Sequence, residues 1–119
     1  MNAFTSIEQS KKLAEILPLI TADMDYIPIV NLDGEYSPLV NIWDNEHIID
    51  EGWIPAWSLA SLLDVLPYPQ LSKDKLGSGK EGWMVSVYPD NCRYDSCWHD
   101  NPVDACVAMI EKLHELKML

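Results

Sequence analysis

Apolar and polar positions follow two different periods along this chain, and each change of period marks an element. From Gly82 onward the local signals agree. Trp83, Val85 and Val87 alternate with Met84, Ser86 and Tyr88, the pattern of a strand with one apolar face. Pro89-Asp90-Asn91 makes a turn. On the return strand Cys92, Tyr94, Ser96 and Trp98 share one face, and Arg93, Asp95, Cys97 and His99 the other. Asp100 or Asn101 then caps a helix over about 102–118, with Pro102 at its first position and Asp104 near the positive end of its dipole. Cys106, Met109, Ile110, Leu113 and Leu116 form its apolar stripe.

Upstream, a helix over about 6–17 starts at Thr5 or Ser6, where Thr5 and Glu8 have capping-box spacing, and Pro18 stops it. Tyr26–Val30 and Tyr36–Trp43 have strand composition around Asp33-Gly34, which predicts a hairpin. Pro28 and Pro38 each lack a ladder donor, so part of this pair belongs at a sheet edge. Leu59, Leu62, Leu63 and Leu66 give one face of a helix over about 56–66, with Pro55 in its first turn and Pro67 at its end. Residues 68–81, rich in Pro, Lys, Ser and Gly, read as a mobile linker. The expectation is one α+β domain: an antiparallel sheet of three or four strands, with helices packed mainly on one face.

Composition narrows the function. At 119 residues with 48% hydrophobic residues, the chain is long enough to bury a core without staples. Neither a signal peptide nor a membrane span is expected, and three cysteines cannot all pair within one chain, so free thiols in a cytoplasmic protein are expected. Net charge is −11, and it is unevenly spread: Leu13–Ser72 holds ten acids and no Lys or Arg. That field repels phosphate backbones, which argues against direct nucleic-acid binding. It suits solubility, or a protein partner with a basic surface. Trp43 and Trp53 bracket the acidic stretch of Asp44, Glu46, Asp50 and Glu51, and tryptophan is enriched at binding hot spots, so these six are the candidate binding residues.

The blocks IEQSKKL, IPAWSLASLLDVLP and DNPVDACVAMIEKLHEL resemble short uncharacterised proteins of Bacteroides-type gut bacteria and their phages or mobile elements. The resemblance implies a cytoplasmic accessory protein and brings no activity or ligand with it. The strand-strand-helix ending also looks like small α+β modules of phage accessory proteins and antitoxins, an analogy of shape alone.

Enzyme-like chemistry is thinly supported. Cys92, Cys97, His99 and Cys106 lack the paired spacing of a structural zinc site, and strand alternation separates Cys92 from Cys97 and His99. Cys97, His99 and Asp95 share a strand face, but positions two apart on one strand rarely converge on a reacting atom. Gly77-Ser78-Gly79-Lys80 departs from a phosphate loop, with Asp74 at the first glycine position and Glu81 where Ser or Thr is needed. Nor does a calcium-loop pattern surround the Asp44/Glu46 and Asp50/Glu51 pairs. No metal or cofactor is implied. The expected role is a non-enzymatic interaction protein, with a small enzyme or ligand-binding domain near Cys97 and His99 as the rival.

Overall fold

The last long helix is the hub of the fold. In the computed structural model, which describes residues 3–29, 34–40 and 52–119, α3 spans Pro102–Glu115. Asn101 caps it: its side chain accepts from the Asp104 N–H, and Pro102 occupies the first turn. Val103, Ala105, Cys106, Met109, Ile110 and Leu113 are fully buried, so the apolar surface is wider than one stripe. The reason is that α3 is packed on more than one side. It packs on strand β5 (Glu81–Val87) and against helices α1 (Ile7–Ile16) and α2 (Leu59–Val65). Leu116, expected on the stripe, sits at the C-cap and is 47% exposed.

The α+β class expected from the sequence is the one observed, and among the described residues the strands divide into two antiparallel sheets of three. The first has the order β2-β1-β3, from β1 (Met24–Pro28), β2 (Tyr36–Val40) and β3 (Ile54–Ala56). The second has the order β4-β5-β6, adding β4 (Gln70–Lys75) and β6 (Tyr94–Asp95). Two segments read otherwise from the sequence account for the extra strands. Pro55 and Ala56, assigned above to the start of a helix, belong to β3 and pair with β1, and the helix begins only after Ser58 caps it. Gln70–Lys75, assigned to a linker, pairs along its whole length with β5. The Gly77-Ser78-Gly79 segment is its hairpin turn: Gly79 N–H donates to the Leu76 carbonyl and Leu76 N–H to the Lys80 carbonyl, both at 2.8 Å. Gly79 has φ +85°, the left-handed position that such a three-residue loop reserves for glycine.

Prolines fix where the first sheet ends. Ile29 N–H donates to the Glu35 carbonyl, so by antiparallel alternation Pro28↔Tyr36 and Tyr26↔Pro38 are non-hydrogen-bonded pairs. The same alternation makes Asp25↔Pro55 non-bonded on the other side of β1. Each missing N–H therefore falls where the ladder needs no donor. Pro38 also leaves the outer edge of β2 short of a donor, which discourages strand addition there.

The return strand of the second sheet carries a bulge. Ser86↔Asp95 and Trp83↔His99 both pair, so four steps on the return chain oppose three on β5. Ser96 fills the irregularity: its Oγ accepts from the Val85 N–H, and its own N–H donates to the Val85 carbonyl. The hydroxyl stands in for a ladder carbonyl.

Helix α1 is capped one residue later than Thr5. Ser6 and Gln9 form the capping box, with Gln9 N–H donating to Ser6 Oγ and Ser6 N–H to Gln9 Oε1. Thr5 is instead fully buried and joins the N-terminal segment to Trp57, between β3 and α2. A large apolar cluster surrounds α3, and a smaller one of Met24, Tyr26 and Ala56 lies on the first sheet under Phe4 and Ile7.

Candidate functional site

After α1, Pro18 ends the helix and Leu19–Thr21 forms one 3-10 turn, which brings Ile20 to Asp23 alongside α2. The two elements are bound together at the start of α2. Asp23 accepts from the Ser58 N–H at 2.8 Å and from the Ser58 hydroxyl, while Ser58 Oγ accepts from the Ser61 N–H as the N-cap of α2. Trp57, fully buried, donates from Nε1 to Thr21 Oγ1 at 2.9 Å, and Thr21 donates in turn to the Pro18 carbonyl. Buried Trp57 and the Asp23 carboxylate thus fix the turn against the helix.

Between them lies a groove of about 740 Å³, lined by Ile20, Thr21, Ala22, Asp23, Ala60, Ser61, Asp64 and Val65. Among the described residues its ionisable groups are two carboxylates, and no base lines it. Ile20 stands on the rim at 67% exposure. Nothing in the sequence pairs Asp23 with Ser58, 35 residues apart. The available signal was Ile20 itself, an aliphatic residue between Pro18 and Asp23 that continues no helical stripe.

Two smaller grooves, about 470 and 300 Å³, run between α1 and α3 and share Lys12 and Glu111. His99 lines the smaller one together with Gln9 and Asp104, which are joined by a 2.8 Å hydrogen bond. His99 Nε2 is buried without a hydrogen-bond partner among the described residues.

Of the six residues singled out from the sequence, Trp43, Asp44, Glu46, Asp50 and Glu51 lie outside the described residues. Trp53 is described and half-buried. The acidic run that leads into them is less of a surface than its composition suggests. Asp23 is spent as a clamp on Ser58, Asp25 is only 2% exposed within β1, and Glu35 is exposed.

The sulfur-and-imidazole set is dispersed. Cys92 and Cys97 are exposed, Cys106 is buried on α3, and all three are free thiols. Desolvation pushes the Cys106 thiol up to about 12, so it behaves as a small apolar side chain. Cys97 is not among the residues lining the groove beside His99. Asp95, on the same return chain, accepts from Ser86 Oγ at 2.6 Å and from Arg93 Nε at 2.7 Å. These contacts, the serine bond first and the arginine second, hold its carboxyl below the ordinary aspartate value. Among the described residues no group of three or more His, Cys, Asp or Glu side chains is arranged to hold a metal, and no helix is long and apolar enough to cross a membrane.

Comparison with protein-family models, with curated proteins and with solved structures finds no match.

Proposed function

We propose that this chain is a non-enzymatic, acidic accessory protein of phage or mobile-element origin that binds a protein partner with a basic surface. The observation that carries the reading is the segregation of charge. The base-free run from Leu13 to Ser72 also holds the exposed aliphatic residues Ile20, Ile29, Leu39 and Val40. Aliphatic side chains among carboxylates, without cations, suit a protein–protein contact and repel a phosphate backbone. Trp43, Asp44, Glu46, Asp50, Glu51 and Trp53 are the residues proposed to meet the partner.

The test is affinity capture from host cells with the tagged chain as bait. Replacing Asp44 and Asp50 with Asn, and Glu46 and Glu51 with Gln, is expected to abolish capture of the partner while the unfolding midpoint stays at the wild-type value. Unchanged capture by this variant would contradict the proposal.

A further inference from the structure

We propose that the groove between the 3-10 turn and α2 docks a short peptide segment in which an aliphatic side chain adjoins an arginine or lysine. The inference rests on the reading of the chain as a protein-binding module and adds a contact outside residues 43–53. Three observations carry it. The groove, at about 740 Å³, has the size of a site that encloses a few side chains. Its apolar lining is partly uncovered: Ala22 is buried, while Ile20 is largely exposed. Its charge is of one sign. Asp64 is exposed and has no hydrogen-bond or ion-pair partner among the described residues, Asp23 lines the same groove, and the nearest bases in sequence are Lys12 and Lys73.

An aliphatic rim beside two carboxylates that meet no cation, of which Asp64 has no hydrogen-bond partner among the described residues, is complementary to an aliphatic residue next to a cation. The cation finds charge-assisted acceptors, and Ile20 loses water-exposed surface. Preorganisation helps, because the Asp23–Ser58 and Trp57–Thr21 hydrogen bonds already hold both walls in place and little is left to order on binding. The alternatives are weaker. The outer edge of β2 is interrupted by Pro38, and the grooves beside α1 already contain Lys12 among their acids.

The experiment is a titration of the isotope-labelled chain, followed by amide NMR shifts, with a hexapeptide alternating leucine and arginine. Alternating glycine–arginine and leucine–glutamate hexapeptides serve as comparisons. The leucine–arginine peptide is expected to saturate shifts at residues 20–23 and 60–65. Ile20→Ser and Asp64→Lys, both at exposed positions, are each expected to weaken it at least about tenfold. The proposal is overturned if no saturable shift appears there, if shifts gather at Glu8, Glu111 and Glu115 instead, if the glycine–arginine peptide binds equally well, or if both variants bind like wild type. Because the probe is synthetic, failure here leaves capture through residues 43–53 to be judged on its own result.

Discussion

Thr5 and Trp57 are joined twice: Thr5 N–H donates to the Trp57 carbonyl at 2.9 Å, and Trp57 N–H donates to Thr5 Oγ1 at 3.1 Å. The Thr5 hydroxyl also meets Ser10 Oγ at 2.8 Å, and the Thr5 carbonyl accepts from the Tyr26 hydroxyl at 2.6 Å. One fully buried threonine thereby ties α1, β1 and the start of α2 together, and α2 is one wall of the groove.

Thr5→Val keeps the shape and removes the hydroxyl, leaving the Trp57 N–H buried without its acceptor. The expected cost is about 1–3 kcal/mol, measured by chemical denaturation. Thr5→Ser, which keeps the oxygen, is expected to lose less. Equal losses for the two would show that the hydrogen bonds are not what matters at this position.

Leu113 is fully buried where α3 meets its neighbours, whereas Leu116 is about half exposed at the helix end. Leu113→Ala is expected to cost about 2–5 kcal/mol. Leu116→Ala is expected to stay within about 0.5 kcal/mol of wild type. Thermal unfolding of the two variants side by side checks the placement of α3 as the hub.

Thiol chemistry separates the three cysteines. In the folded chain Cys92 and Cys97 are expected to react with an aromatic disulfide reagent at about pH 8, and Cys106 only after denaturation. The sign of the pH effect follows from the raised Cys106 value. The folded state favours the neutral thiol, so this contribution to stability is complete below the ordinary thiol value and is lost as pH climbs from there towards about 12. Replacing Cys106 with Ala is expected to flatten that alkaline loss in a denaturation series.

Asp95 acts in the opposite direction. Its lowered value means that the contribution is present above the unfolded aspartate value and disappears as pH falls through the folded one. Ser86→Ala removes the leading cause, so the carboxyl titration of Asp95, followed by carbon NMR, is expected to move up. An unmoved midpoint would assign the shift to Arg93 and Lys112 instead.

The parts legible in the sequence are those where one local rule acts unopposed. The strand through Trp83, Val85 and Val87, the Asn101–Pro102 helix start and the pairing of the Tyr26 and Tyr36 segments all stand in the structure, although Ser86 is buried along with its two valine neighbours. Elsewhere tertiary contacts override local signals. Ile54-Pro55-Ala56 looks like a helix start because proline favours a first turn, yet β1 offers it a ladder in which Pro55 needs no donor. Gln70–Lys75 is polar enough for a linker, but an edge strand that pairs on one side alone tolerates such residues and is protected by its lysines. Thr5 looks like a helix cap, and its hydroxyl is claimed by Trp57 and Ser10. Charge was the least legible property, because composition cannot distinguish an exposed carboxylate such as Asp64 from one clamped like Asp23 or buried like Asp25.

Native mass spectrometry of the tagged chain, purified from host cells in low salt, tests the central claim most directly. The account predicts a discrete complex with one protein partner that dissociates as salt is raised to about 0.5 M, where screening removes the attraction between an acidic and a basic surface. The bare chain alone at low salt, or a complex with nucleic acid, would contradict it.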